Sequence, residues 1–353
     1  MSLAAQVTEL AADVPACDPQ AAAAATERHG GLVKPPGSLG RLEVIGAQLA
    51  AIAGACPPPV PERPAVVVAA ADHGVHAQKV TPWPQQLTTV MVEQFCAGTA
   101  AVNALAATVG ASVSVLDVGC AVRPPDHPLL RTRRVRAGTD DLSAGDAMTR
   151  DDTARAFLAG AGIAEELIGN GVDLLVTGDM GIANTTASAC LIAAFTGSSA
   201  GQVTGRGAGI DDTTLANKLT IVADALRHHD LAPDDPLDVL MAVGGLEHAA
   251  LAGVICSAAV DRIPVVLDGV ATNAAALAAA ALNPTVTGYL VAGHRSTEPG
   301  ASVALDALGL APLLDLRLRL GEGTGGLLAV PVVTAAARAL ADMATLSDLG
   351  FDT

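Results

Sequence analysis

The chain has 353 residues, rich in alanine, glycine, valine and leucine, and only 2% of them are aromatic. That length suffices for one large domain or two smaller ones with ample core, packed from small side chains. Acids outnumber bases 36 to 20 for a net charge of −16, which argues against nucleic acid or an anionic membrane surface as partner.

The cysteines, Cys17, Cys56, Cys96, Cys120, Cys190 and Cys256, are scattered without C-x-x-C or zinc spacing. They read as small buried hydrophobes in a reducing compartment. The N-terminal run M-S-L-A-A-Q-V-T-E-L has no basic region and no apolar stretch of signal length. Gly, Pro and polar residues interrupt the alanine-rich stretches elsewhere, so none is expected to span a bilayer. The expectation is a soluble, cytoplasmic protein with no metal site.

Taken in order, residues 1–62 read as helical. Leu42, Ile45, Leu49 and Ile52 recur at helix spacing, with Ser38 a candidate cap. A stiff loop, Lys34-Pro35-Pro36-Gly37-Ser38-Leu39-Gly40, precedes them, and Pro57-Pro58-Pro59-Val60-Pro61 reads as a linker. A rhythm then begins. Short apolar runs at 65–70, 112–118, 173–177, 238–243, 265–267 and 288–291 read as strands, most ending in glycine or polar residues. Alanine-rich helical stretches lie between most of them, for example 213–227 and 273–282. This alternation predicts a parallel sheet with helices on both faces, with ligands bound just beyond the strand ends. Leu129 to Arg136, with four arginines, breaks the rhythm and reads as a solvated edge strand or hairpin.

The stretch from Asp173 to Cys190 is the most informative. A strand runs into Gly178, Asp179, Met180 and Gly181, then into Asn184-Thr185-Thr186 at a helix start. Free backbone N–H groups in such a turn can hold a phosphate; an ordinary Asn- or Thr-capped turn would leave the same pattern. Asp179 would repel a phosphate, so it is expected to face sugar hydroxyls or a base. A second glycine-rich loop runs from Thr204 to Asp212, followed by Lys218, one of three lysines in the chain. Two further polar segments, Asp72-His73-Gly74-Val75 and His294 to Gly300, follow strands but read equally well as turns. Downstream, Glu322 stands alone between Gly321 and Gly323, against Leu320, Leu327 and Leu328. Flanking glycines let a flat ligand approach, and an acid in apolar surroundings has the raised pKa a general base needs near neutrality. No serine elbow or histidine–carboxylate spacing points to a covalent nucleophile. The run from Pro264 to Asn273 resembles the phosphoribosyl-pyrophosphate loop of type I phosphoribosyltransferases, but Gly269 stands where that loop has its second acid.

Together the segments resemble the nicotinate-nucleotide–dimethylbenzimidazole phosphoribosyltransferases, which make α-ribazole phosphate for the lower ligand of cobalamin. The matching pieces, in order across nearly the whole chain, are Lys34 to Glu43, Ala71 to Val75, Gly178 to Thr186, Gly244 to Glu247, His294 to Gly300 and Leu313 to Gly325. The resemblance implies a Rossmann-like three-layer α/β/α fold over 63–332. A small helical domain would come from both chain ends, 1–62 and 333–353, and the subunits would form a homodimer. It implies transfer of phosphoribose from nicotinate mononucleotide to 5,6-dimethylbenzimidazole, without a cofactor. Glu322 would be the general base and Asp179 a second catalytic acid. Gly181, Ile182, Ala183, Asn184, Thr185, Thr186, Lys218, Gly205 and Asp211 would bind phosphate and ribose, and Thr81, Gln86, Met91 and Leu320 the aromatic base. The chain departs from the family pattern at Asp179 (Glu expected), Ala208 (Thr), Ala301 (His) and His248 (an apolar residue). Another acceptor base, phosphoribosyl pyrophosphate as donor, and a non-catalytic nucleotide-binding module are the rival readings.

Overall fold

The computed structural model describes residues 1–229 and 231–351. Six strands, β1 (Pro64–Ala71), β2 (Ser112–Gly119), β3 (Leu130–Thr132), β4 (Leu174–Met180), β5 (Val265–Leu267) and β6 (Leu290–Ala292), form one sheet in the order β3-β2-β1-β4-β5-β6. Every neighbouring pair is parallel. All residues of β1 and β4 are buried, which explains why their sequences are continuous apolar runs rather than alternating ones: both faces are covered. Helices Arg150–Gly169, Leu246–Val260 and Val270–Leu282 form one covering group, and Leu87–Ala97, Ala101–Val109 and Thr324–Asp342 the other. The α/β fold expected from the rhythm is therefore observed, as a Rossmann-like doubly wound sheet.

Small residues make the tight layers possible. Helices Arg150–Gly169 and Leu246–Val260 cross so closely that a Cβ at Gly160 would overlap the Ala250 carbonyl, and one at Gly253 the Phe157 carbonyl. The N-terminal helices Pro19–Gly31 and Arg41–Ala53 pack on the far half of helix Thr324–Asp342, where Ala21, Ala25, Ala50 and Leu340 form a separate small cluster. That helix runs without a break across residues 332 and 333. By length and hydropathy alone, Leu87–Val109 and Thr324–Asp342 could cross a membrane. The first is two helices parted at Gly98, and the second packs against β4 and β5.

Three local expectations need correction, and a fourth is narrowed. Residues 238–243 are not a strand: Pro236–Val243 is a helix, started by the Asp235 side chain accepting the Asp238 N–H and by Pro236 in the first turn. Gly178 is not a turn, because β4 continues through Asp179 and Met180. It is glycine because a Cβ there would sit 2.8 Å from the backbone of Glu322. Ser38 caps nothing; helix Arg41–Ala53 starts after Gly40, which has φ of 54°. The arginine-rich stretch does supply an edge strand, but only Leu130–Thr132 pairs, parallel to β2, with no hairpin.

The sheet order reverses direction between β1 and β4. Chain leaving their C-terminal ends therefore diverges and opens a crevice there.

Candidate active site

That crevice holds a cavity of about 620 Å³, large enough for a nucleotide together with a second ring. One wall is the turn from β4 into helix Asn184–Thr196. Gly181 is required, since a Cβ would overlap the Ala71 carbonyl, and Ala183 takes a left-handed φ of 77°. Ala183 occupies the cap position and no side chain caps the helix. The helix therefore presents its N-terminal dipole end to the cavity, as an anion site requires.

Lys218, on helix Asp212–His228, is 2% exposed and donates to Thr185 Oγ1 at 2.7 Å and to the Gly205 carbonyl at 3.2 Å. Burial pushes its ammonium down to about 8, opposed by the Glu298 carboxylate. The glycine loop around it is pinned by Glu298, which accepts the Gly207 N–H at 2.8 Å, and by Arg319, which donates to the Gly207 carbonyl at 3.0 Å. Gly205 must be glycine, because a Cβ would overlap the Glu298 carboxyl. Arg206, Arg317 and Arg319 also border the cavity, making this end cationic within an acidic protein.

Acidic groups border the same cavity. Gly321, Glu322 and Gly323 all have left-handed φ, 84°, 63° and 86°. This strained turn packs against Gly178, and Gly321 approaches the Asp179 carboxylate. Glu322 is 5% exposed and its Oε2 has no hydrogen-bond partner. Burial pushes its carboxyl up to about 7, opposed by the Val102 amide at the start of helix Ala101–Val109 and reinforced by Asp268. Asp179 is likewise pushed up to about 7, by burial first and then by the charges of Asp268, Glu247 and Glu322, while an Asn184 Nδ2 hydrogen bond at 2.8 Å opposes the rise. Two buried acids thus share one cavity with Lys218 and three arginines, and Thr81, Leu87, Met91 and the half-exposed Trp83 and Leu320 line it too.

Of the residues expected from the sequence, Asp179, Gly181, Ile182, Ala183, Asn184, Thr185, Lys218, Thr81, Met91, Leu320 and Glu322 border the cavity together. Thr186 is buried behind the turn; Gly205 touches Lys218 only through its carbonyl. Asp211 caps helix Asp212–His228 by accepting the Thr214 N–H, and Gln86 is exposed at the start of helix Leu87–Ala97. Sequence reasoning misses Arg206, Arg319, Trp83 and Glu298. Trp83 is the sole tryptophan of the chain, and Glu298 lies in a polar segment whose pattern gives it no particular role.

A doubly wound sheet whose switch-point crevice carries a phosphate-type helix end, a buried lysine and an unpartnered acid defines a nucleotide-processing α/β enzyme. A phosphoribosyltransferase family model matches residues 14–350. The nicotinate-nucleotide–dimethylbenzimidazole phosphoribosyltransferase of Salinispora tropica is 54% identical over 347 residues, covering 94% of this chain and 95% of that relative. The protein of that name from Mycobacterium avium is 50% identical over 333 residues, covering 94% and 95%. The crystal structure of CobT from Thermus thermophilus superposes with a TM-score of 0.91 at 46% identity, covering 95% of this chain and 99% of that one. The chain belongs to the nicotinate-nucleotide–dimethylbenzimidazole phosphoribosyltransferase family.

Proposed function

We propose that this enzyme transfers phosphoribose from nicotinate mononucleotide to 5,6-dimethylbenzimidazole, giving α-ribazole 5′-phosphate and nicotinate. The observation that carries the reading is Glu322: a buried carboxyl with one unpartnered oxygen and a pKa near 7, on the cavity that Lys218 also borders. The phosphate sits at the start of helix Asn184–Thr196, beside Lys218 and Thr185. The ribose then lies between that end and the two acids.

In the donor, ribose C1′ is bonded to a pyridinium nitrogen. As that bond breaks, its electron pair returns to the ring, so nicotinate leaves without needing a proton. Positive charge develops on the sugar, and the Asp179 carboxylate is placed to stabilise it. One benzimidazole nitrogen attacks C1′ from the opposite face, inverting β to α, while the other nitrogen gives its proton to Glu322. Trp83, Met91, Leu87 and Leu320 supply apolar surface for the acceptor ring.

Phosphoribosyl pyrophosphate is the less favoured donor. The Asp268 carboxylate, which that reading needs for a metal-bound diphosphate, is already taken up by three backbone N–H groups. The proposal carries with it a cytoplasmic homodimer and a division into a catalytic unit at 63–332 and a small unit from 1–62 and 333–353.

Nuclear magnetic resonance of the product tests the reading. An α-configured ribosyl-benzimidazole phosphate is expected; a β product, or consumption of phosphoribosyl pyrophosphate instead, would overturn it.

A further inference from the structure

Behind the phosphate-binding turn lies a buried polar chain that touches no part of the cavity until its last members. His73 Nε2 meets Glu247 Oε1 at 2.7 Å, and His248 Nδ1 lies 2.9 Å from the same oxygen. His248 Nε2 lies 2.9 Å from Ser188 Oγ, which donates to the Asn184 carbonyl at 2.9 Å. Asn184 Nδ2 donates to Asp179 Oδ2 at 2.8 Å. His73, Glu247, His248 and Ser188 are fully buried.

Hydrogen-bond bookkeeping fixes directions along this chain. The Ser188 hydroxyl spends its proton on the Asn184 carbonyl, so its oxygen must accept from His248 Nε2–H. Burial by itself would raise the Glu247 carboxyl, but the two imidazoles outweigh it and hold the group well below its ordinary value, as an anion. The three donor groups lie within 4.8 Å of one another, a grouping seen at metal centres. The His73–Glu247 contact is a 2.7 Å hydrogen bond and the His248–Glu247 separation is 2.9 Å, however, both shorter than the roughly 3.3 Å between two ligands of one tetrahedral zinc ion.

A fully buried ion cluster is a costly way to fill space, and an apolar filling would do as well for stability. What it provides is direction. The turn it backs onto needs holding, because Ala183 sits in the left-handed region without being glycine.

We propose that His248 is a positioning residue: through Ser188 it fixes the first turn of helix Asn184–Thr196, and through the Asn184 amide it aims the Asp179 carboxylate at the reacting sugar. The role rests on the transfer proposed above, since it is exerted through Asp179.

The test uses the full chain with Ser188→Ala, His248→Leu and His248→Gln, assayed with nicotinate mononucleotide and 5,6-dimethylbenzimidazole. Ser188→Ala is expected to lower kcat roughly tenfold with KM for the nucleotide nearly unchanged, the signature of lost alignment rather than lost binding. It should add nothing in an Asp179→Ala background, because both act through one carboxylate. His248→Gln, whose amide can still donate towards Ser188, should recover part of the rate lost in His248→Leu. Variants with lowered Tm but unchanged kcat, or effects that multiply with Asp179→Ala, overturn the proposal. A wild-type chain that releases no nicotinate sinks the transfer reading instead. Crystal structures of Ser188→Ala then decide the positioning role: a lost Asn184–Asp179 bond supports it, and an intact one overturns it.

Discussion

Asp268 holds the turn on which Glu322 stands. Its carboxylate accepts the N–H groups of Gly323 at 3.0 Å, Gly325 at 2.7 Å and Gly326 at 3.0 Å, so the helix that follows the proposed base is capped from another strand end. Asp268→Asn replaces one acceptor oxygen with a donor facing backbone N–H groups. We expect a loss on the order of 3 kcal/mol, read by denaturant unfolding, together with a fall in turnover as the Glu322 turn loosens. Unchanged stability would mean the carboxylate is not the cap.

Glu322→Gln keeps the shape of the site and removes the base. Turnover should fall roughly 10²- to 10⁴-fold, with nicotinate mononucleotide binding, measured by calorimetry, retained. A fully active variant would remove Glu322 from the mechanism. The substitution should also change stability. The folded carboxyl titrates near 7 and an unfolded glutamate near about 4.3, so between those values the folded chain holds a proton that the unfolded chain releases. Stability from this group therefore falls as pH rises through the window. Glutamine has no charge to bury, so the variant should melt higher than the wild type above neutral pH. A lower Tm there would contradict the burial argument.

Activity should follow a bell in pH. The acid limb of kcat/KM should lie near 7, where Glu322 and Asp179 both titrate as a coupled pair. The alkaline limb should lie near 8, where free Lys218 loses its proton. Once a phosphate is bound its charge favours the ammonium, so in kcat the alkaline limb should move up. Lys218→Met should abolish that limb and raise KM roughly tenfold to a hundredfold. An unchanged limb would show that another group produces it.

Gly160→Ala tests the layer packing. The new methyl would meet the Ala250 carbonyl, a backbone atom that cannot step aside. A loss of at least about 3 kcal/mol, seen as a lower Tm, is expected. A neutral substitution would mean the two helices are less closely held than described.

What could be read from the sequence follows from what is local. β1 and β4 were legible because burial on both faces leaves an uninterrupted apolar run bounded by polar residues. The run at 238–243 has the same look, yet forms a helix; its length matches a strand, and only Asp235 and Pro236 before it mark a helix start. Glu322 and Lys218 stood out because a lone acid between glycines and a rare lysine are visible one residue at a time. The His73–Glu247 contact spans 174 positions, and nothing in either neighbourhood announces the other. Glu298 likewise acts on Gly207 from 91 residues away. Gly178 misled because glycine serves here as clearance for the Glu322 turn, not as a bend.

The most direct test is nicotinate release from nicotinate mononucleotide, with and without 5,6-dimethylbenzimidazole. Release is expected to depend on the benzimidazole and to proceed unchanged in the presence of a chelator. Release that ignores the benzimidazole, or nucleotide bound without any release, would contradict the proposed transfer.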